Sequence, residues 1–400
     1  MAPALETDTD VKHPWSAGAT PALSPTAAGT VAPVLDVVDW QEWSTPEARA
    51  KWDDLAARSA TPNPFFESWL LLPALAALAP SRPVRIATVR IGGSLVALFP
   101  LARAARHGRH PLPHLATWLH ANCFLGAPLV AAGFEQALWQ ALFGWADSHA
   151  GTALFLHLAA MPLDGPLADA LVETALQEGR RLALVHREER ALLQSNLSPE
   201  SYLAAAVPGK KRKEYRRQRA RLGELGDLQV VRSRDGDHVE AWIEAFLALE
   251  AQGWKGRAGS ALACAPGTAA FFRQGMAEAA RRGRLERLSL ELDGQPIAML
   301  ATLFAGSGTF SFKTAFDERF ARFSPGVLLQ LENLDLLQDP ARPWCDSCAA
   351  ADHPMIDSLW TERRAIGRFS IAIGGRVRRA ACDALLALEL GRNPVGIKNR

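Results

Sequence analysis

Apolar residues recur with two different periods along this chain, and the two periods predict helices interleaved with strands. The first stretch of this kind begins with an apolar helical segment over 66–78. Strand-like runs over 84–91 and 95–101 follow, joined by a turn at Gly92-Gly93, and a helix over 135–146 comes later. This order of helix, hairpin and helix is typical of a mixed α/β unit.

A second stretch, in the other half of the chain, repeats this order and adds a further strand. The predicted elements are a helix over 269–282, strands over 288–292, 297–304 and 309–316, and a helix over 327–337. Asp293-Gly294 lies between the first two strands and is a favourable hairpin dipeptide. The repeated order predicts two copies of one fold, each a mixed, mostly antiparallel sheet flanked by helices.

The domain limits follow from composition and from one helix start. The first residues are rich in Ala, Pro, Thr and Ser without an apolar period, which is typical of a flexible leader. Between Glu188 and Ser201 a charged run gives way to a polar segment, where Ser198 and Pro199 suit an N-cap and a first helical residue. The predicted division is a leader over 1–33, a first domain over 34–190, a second domain over 191–391 and a tail over 392–400.

The composition is that of a globular protein and does not indicate a particular activity. The chain has 400 residues, of which 48% are hydrophobic and 22% charged, as in ordinary globular proteins. Its five cysteines are too few and too uneven for a disulfide framework. The N-terminus has no secretory pattern and no stretch has the length of a spanning helix, so we expect a cytoplasmic protein without membrane insertion. The richness in Arg and Ala is typical of GC-rich bacterial genomes.

Charge is concentrated in one segment, although the net charge is only +2. The run KKRKEYRRQRAR, over 210–221, contains eight basic residues and one acidic residue, and the rest of the chain is net acidic. Basic residues fall on every face of the predicted helix. Three interpretations remain open: a solvated surface helix, a site for a phosphorylated cofactor or substrate, and a nucleic-acid site. Its candidate substrate-binding residues are Lys210, Lys211 and Arg212.

The segment over 309–326 combines a strand with a helix start. In strand geometry Lys313 lies on the face opposite the phenylalanines, which points it into a cleft or solvent. Ser324 and Pro325 suit an N-cap and a first helical residue, and Gly326 removes bulk from the first turn. The unpaired N–H groups of such a turn attract anions, although any well-capped helix has the same pattern.

Two further segments contain candidate chemistry. Trp254 and Lys255 lie in a Gly-rich loop, where an aromatic residue and a cation often contact ligands, although a packed tryptophan beside a solvated lysine is also common. Asp346, within a Cys-x-x-Cys pair, and His353 are candidates for deprotonating a substrate. No second metal-binding half-motif accompanies the cysteine pair, so no metal site is expected. GxSxG, Walker A and GxGxxG patterns are absent, which argues against three large enzyme classes.

In this order, the segments resemble the GNAT acyltransferases, and among them the CelD-type proteins of cellulose and polysaccharide biosynthesis. These proteins are similar to the Fem family, which adds amino acids to peptidoglycan precursors. The resemblance covers roughly 35–391. The segments that carry it are NPFFESW over 63–69, the basic run continued to Leu222, GWKGR over 253–257, FKTAFDERFARFSPG over 312–326 and DSCAAADHPMIDSLWTERR over 346–364.

The resemblance implies tandem GNAT-like domains in which donor and acceptor meet mainly at the second. In GNAT enzymes a helix N-terminus holds the pyrophosphate of the donor, usually through an Arg/Gln-x-x-Gly-x-Gly/Ala pattern. Here the turn over 323–326 occupies that place instead, so acetyl-CoA, a longer acyl-CoA and aminoacyl-tRNA all remain open as donors. The cofactor-binding residues implied are Phe323, Ser324, Gly326 and Val327.

The expected activity is transfer of an acetyl or other acyl group from CoA to an amine or hydroxyl of a sugar or envelope precursor. The alternatives are Fem-like transfer from aminoacyl-tRNA and a degenerate GNAT scaffold that partners polysaccharide synthesis machinery. Lys313 is expected to face a small-molecule acceptor, and Asp346 or His353 to act as base. The expected substrate-binding residues are Lys210, Lys211, Arg212, Trp254, Lys255 and Asp317.

Overall fold

The computed structural model describes residues 31–78 and 83–392. The predicted leader, apart from its last three residues, and the tail beyond residue 392 lie outside the described residues. The first half of the chain forms the following elements: β1 (Val34–Asp39), α1 (Pro46–Ala57), α2 (Ser68–Ala77), β2 (Val84–Ile91), β3 (Ser94–Ala104), β4 (His114–Thr117), β5 (Leu129–Val130), α3 (Glu135–His149), β6 (Phe155–Pro162), α4 (Pro166–Gln177) and β7 (Leu182–Leu193).

The second half follows the same plan. Its elements are α5 (Pro199–Ala206), α6 (Gly209–Gly223), β8 (Leu228–Ser233), α7 (Val239–Gln252), α8 (Trp254–Arg257), α9 (Pro266–Arg281), β9 (Leu285–Leu292), β10 (Gln295–Ala305), β11 (Gly308–Phe316), α10 (Pro325–Glu332), β12 (Trp344–Asp346), β13 (Glu362–Ala372) and α11 (Arg376–Arg392). Short 3-10 helices occur at Trp40–Ser44, Pro64–Phe66, Leu262–Cys264, Glu318–Phe323 and Asn333–Gln338.

All thirteen strands of the described residues belong to one sheet. Its order is β1-β2-β3-β4-β6-β13-β7-β12-β11-β10-β9-β8, and β5 pairs with β3. Only two neighbouring pairs are parallel, β4 with β6 and β11 with β12, and each half contributes one of them. The predicted mixed α/β fold with a mostly antiparallel sheet flanked by helices is confirmed, and the repeated order of the two halves is visible in the topology.

The two halves share strands at the centre of the sheet. β13, the last strand of the described residues, lies between β6 and β7 of the first half and pairs antiparallel with both. β7 also pairs with β12 of the second half, through Leu192 and Leu193. The predicted boundary after residue 190 therefore falls inside a strand.

The halves also meet through helices. α2 of the first half packs against α9 of the second. Gly275 of α9 permits this approach, because a Cβ built there would lie 2.7 Å from Cδ1 of Leu70. Both helices contribute to one large core, with Trp69 from α2 and Phe271 from α9 almost fully buried.

Three local predictions differ from the structure. Trp254 and Lys255 form the first turn of the short helix α8 and not a Gly-rich loop. Ser324 precedes α10 as predicted, but it is left-handed (φ 53°, ψ 52°) and its side chain makes no capping hydrogen bond. The predicted alternation along β11 is interrupted by a bulge, since Ala301 of β10 pairs with Lys313 while its neighbour Thr302 pairs with Ser311.

Candidate active site

A cleft of about 560 Å³ opens beside β11, the start of α10 and the segment after β12. It brings together seven residues that the sequence singled out from three separate segments. They are Trp254, Lys255, Lys313, Ser324, Gly326, Val327 and His353. Because the segments are far apart in the chain, the fold alone makes them neighbours.

The bulge in β11 determines which side chains reach the cleft. Four consecutive residues, Ser311 to Thr314, line it, although strict alternation would place neighbours such as Phe312 and Lys313 on opposite faces of the strand. A bulge bends the strand and redirects side chains in this way, and such irregularities are frequent beside functional sites.

Lys313 is half-buried and lies between aromatic rings. Its Nζ is 5.3 Å from the ring centroid of Phe124 and 5.8 Å from that of Phe312. Burial, together with the nearby charge of Lys255, lowers the pKa of Lys313 to about 8. A sizeable fraction of this side chain is therefore neutral slightly above neutral pH.

Lys255 is held by a buried carboxylate behind the wall of the cleft. Its Nζ donates to Oε1 of Glu250 at 2.9 Å and to the carbonyl oxygen of Thr314 at 3.1 Å. The other oxygen of Glu250 accepts the N–H of Leu262 at 2.8 Å. Trp254, by contrast, is 54% exposed beside the cleft. The tryptophan is therefore exposed and the lysine is held by a buried carboxylate, which is the opposite of the common arrangement of a packed tryptophan beside a solvated lysine.

The start of α10 forms a tight wall of the cleft. A Cβ at Gly326 would lie 3.2 Å from Sδ of Met355 and 3.3 Å from Cδ1 of Phe316. The N–H of Val327 donates to the carbonyl oxygen of Ser324 at 2.9 Å. Glycine thus lets two side chains close on the turn, and any larger residue there displaces them.

His353 is the candidate base that lines the cleft. Its Nδ1 is buried and has no hydrogen-bond partner among the described residues. A buried ring nitrogen without a protein partner is an exception among buried polar atoms, and it marks His353 as the candidate whose hydrogen bonding the protein leaves incomplete.

Asp346, the other candidate base, lies outside the lining of the cleft. It is fully buried and accepts from Arg190 at 2.6 Å, from Arg364 at 2.9 Å and from the N–H of Cys348 at 2.9 Å. Burial alone would raise the pKa of Asp346, but the two guanidinium groups outweigh it and hold the pKa below its ordinary value. This carboxylate orients its neighbours and is poorly placed to accept a substrate proton.

Arg190 connects this buried cluster to a residue that the sequence did not single out. Its other terminal nitrogen donates to the carbonyl oxygen of Phe124 at 2.6 Å, and the Phe124 side chain lines the cleft. The first half of the chain therefore contributes directly to the site. No local pattern marks Phe124, because its role depends on a contact with a distant strand.

The remaining predicted residues lie away from the cleft lining. Phe323 is buried in a second, smaller hydrophobic core, together with Leu328 and Leu329 of α10. Asp317 accepts from the backbone N–H of Arg319 at 2.9 Å. Lys211 pairs with Glu214 at 3.1 Å, Nε of Arg212 donates to a backbone carbonyl oxygen, and Lys210 is exposed. α6 packs against the 3-10 helix Glu318–Phe323, which leads into Ser324.

Two kinds of site are not found in the described part of the chain. No group of three or more His, Cys, Asp or Glu side chains there could hold a metal ion. Cys348 lines the cleft, but it is buried, and this burial raises the pKa of its thiol well above the ordinary value. Its sulfur is therefore a poor nucleophile.

Among the described residues, no helix has both the length and the apolar character that crossing a membrane requires.

Residues 209–352 match the model of a protein family described as the acetyltransferase (GNAT) domain. The second half is thus similar to GNAT domains. The matched segment includes Lys313, the start of α10 and Asp346, and it ends one residue before His353. A search of curated proteins found no significant match.

Solved structures resemble the chain over most of its length. FemX aligns with a TM-score of 0.55 at 11% identity, over 84% of this chain and 98% of its own. A conserved protein of unknown function from Bacteroides thetaiotaomicron aligns with a TM-score of 0.51 at 13% identity, over 81% and 97%. The C-terminal domain of a protein described as a lysylphosphatidylglycerol synthetase, from Agrobacterium fabrum, gives 0.50 at 13%, over 85% and 96%.

At these identities the likeness concerns the fold, and it extends across both halves of the chain. The family match adds that residues 209–352 are similar in sequence to GNAT acetyltransferase domains.

Proposed function

We propose that this protein transfers an acetyl or other acyl group from CoA to an amine or hydroxyl of a small sugar or envelope-polysaccharide precursor. The observation that carries the proposal is the convergence of the α10 start, the bulged strand β11 and His353 on one cleft. The cleft belongs largely to the segment that matches the GNAT acetyltransferase domain.

The turn over Ser324–Val327 is proposed to hold the phosphates of the donor. The positive end of the α10 dipole lies there, and Ser324, Gly326 and Val327 all line the cleft. Lys255, fixed by Glu250, adds a positive charge on the same cleft. Phe323 supports this turn from the core without contact to the donor.

His353 is proposed to remove a proton from the acceptor. The freed lone pair attacks the thioester carbonyl carbon, a C–N or C–O bond forms, and the C–S bond breaks to release the CoA thiolate. His353 then returns the proton to the sulfur, so the products are the acylated acceptor and CoA. Holding the two reactants in one cleft supplies much of the acceleration, since a bimolecular step becomes effectively unimolecular. Asp346 acts indirectly, through Arg190 and the backbone of Cys348.

Isothermal titration with acetyl-CoA tests the donor site. The wild type should bind, and Gly326→Asp should bind at least tenfold more weakly, because the new side chain meets Met355 and Phe316 and adds negative charge. Gly236→Asp is a matched control, since a Cβ there meets nothing within 4 Å. Absence of binding by the wild type, or unchanged binding by folded Gly326→Asp, would contradict the proposal.

Aminoacyl transfer from tRNA is the second candidate, and the surface of α6 favours it. Five of its exposed basic residues take part in none of the ion pairs of the described chain: Lys210, Lys213, Arg216, Arg217 and Arg221. Phosphate contacts release counterions, so tRNA binding through this surface would weaken steeply with salt. Filter binding at two salt concentrations separates the candidates, because binding of CoA requires no such surface.

A further inference from the structure

The walls of the cleft carry positive charge without a matching carboxylate. Lys255 and Lys313 both line it, and no Asp or Glu lies among the described residues of the lining. The charge of Lys255 is balanced from behind by buried Glu250. Lys313 takes part in none of the ion pairs found in the described chain, and Glu250, the nearby carboxylate whose charge favours its ammonium, is already paired with Lys255.

The surroundings of Lys313 make its positive charge unfavourable in the absence of a counter-ion. The rings of Phe124 and Phe312 offer only cation–π contacts to its ammonium. Withdrawing an ammonium from water without a counter-ion is unfavourable. A bound anion would remove this cost, so the surroundings of Lys313 favour an anionic ligand.

The position of Lys313 assigns that anion to the acceptor end of the cleft. The turn over Ser324–Val327, which is proposed above to hold the donor phosphates, lies against Phe316. A Cβ built at Gly326 would lie 3.3 Å from Cδ1 of the Phe316 ring. Lys313 lies three residues earlier on the same strand, which is about 10 Å at the usual rise per residue. Its ammonium lies over the ring of Phe124, the contribution of the first half of the chain.

We propose, on the basis of the acyl transfer proposed above, that Lys313 binds a carboxylate of the acceptor. The acceptor is then an acid that also carries the reacting amine or hydroxyl, such as an amino sugar acid, and not a neutral sugar. The ion pair orients the acceptor against the rings of Phe124 and Phe312, and Lys313 serves as the specificity determinant. A phosphate of the donor could also pair with Lys313, and the titration with acetyl-CoA described below distinguishes it from a carboxylate of the acceptor.

The first measurement is independent of turnover. The lysine side chains of the full chain are ¹³C-dimethylated, and the Lys313 resonance is identified by its loss in Lys313→Met. Acetate should raise the apparent pKa of this resonance, while acetamide, which matches it in size without the charge, should not. An equal response to both probes, or no response to acetate, overturns the proposal, whatever the outcome of the activity assays.

The second measurement uses a matched pair of acceptors with acetyl-CoA. 2-Amino-2-deoxyglucuronic acid differs from glucosamine only in a carboxylate at C6, and the wild type should prefer it in kcat/KM. Lys313→Met should reduce this preference about ten- to a hundredfold, the range of a charged hydrogen bond. Lys313→Arg should retain most of it, and Lys51→Met, a change of an exposed lysine on α1, should leave it unchanged. A preference that survives Lys313→Met overturns the proposal.

Donor affinity completes the test. Titration with acetyl-CoA should give the same affinity for the wild type and for Lys313→Met. A tenfold loss in the variant would place the anion on the donor and overturn the assignment to the acceptor. If acetate shifts the Lys313 resonance but neither acceptor is acylated, the carboxylate site stands and the proposed acyl transfer fails.

Discussion

The ion cluster of Asp346 with Arg190 and Arg364 is predicted to stabilise the junction of the two halves. Asp346→Asn keeps the shape of the side chain but leaves the buried guanidinium group of Arg190 and the largely buried one of Arg364 without their counter-ion. Removing one partner of such a buried pair costs about 3–5 kcal/mol. Asp352→Asn, a change of an exposed aspartate, is the control and should be neutral.

The magnitude can be converted into a melting temperature. The continuous sheet is expected to unfold as one unit of about 360 residues. At ~2.1 cal/mol/K per residue, its unfolding entropy is about 0.75 kcal/mol/K, so Asp346→Asn should lower Tm by about 4–7 °C. Scanning calorimetry at pH 7.5 measures this. The double variant Asp346→Asn with Arg364→Gln should lose less than the sum of the single changes, because the partners interact.

The same cluster predicts a pH dependence with a definite sign. Because the folded pKa of Asp346 is below its ordinary value, its contribution to stability is complete above the unfolded pKa, at about 3.9 for Asp. The contribution is lost as the pH falls through the folded pKa, and the Tm difference from Asp346→Asn should shrink there. Equal Tm values for Asp346→Asn and Asp352→Asn at pH 7.5, together with lost activity, would refute this reasoning and restore Asp346 as a base.

Three further predictions follow from other parts of the molecule. Above pH 8 the KM of a carboxylate acceptor should rise about tenfold per pH unit as Lys313 loses its proton, and Lys313→Arg should show no such rise. Gly275→Val should lower the free energy of unfolding by about 1–3 kcal/mol through its clash with Leu70, measured in urea against Gly144→Ala as control. Of five thiols, only exposed Cys264 should react rapidly with a thiol reagent before unfolding.

Local chemistry made much of the secondary structure predictable. The hairpin of β9 and β10 turns at Asp293 and Gly294, which adopt φ values of 51° and 74°, as such a dipeptide allows. α5 begins at Pro199, and the Ser198 hydroxyl accepts the N–H of Ser201 at 3.2 Å. In both cases the residues that specify the conformation lie within the element itself.

Features that depend on distant contacts were not predictable from local patterns. The bulge that brings Phe312 and Lys313 to one cleft arises from pairing with β10. Phe124 reaches the cleft through Arg190, which lies 66 positions away in the sequence. In the sequence Asp346 is a polar residue between two cysteines, and only the fold brings Arg190 and Arg364 to its carboxylate. The sequence therefore predicted part of the candidate site. It did not predict the contribution of Phe124 from the first half, or the buried ion cluster around Asp346.

The position of β13 has a consequence for how this chain matures. During synthesis the first half emerges with β6 and β7 complete, yet the strand that pairs with both is more than 160 residues behind them. Until β13 arrives, two strand edges remain open to other chains, which is a known route to aggregation. Pairing across such a separation is also slow, because a large loop must close first. The two halves therefore cannot finish folding one after the other, and a chain that stops before residue 362 leaves the first half incomplete.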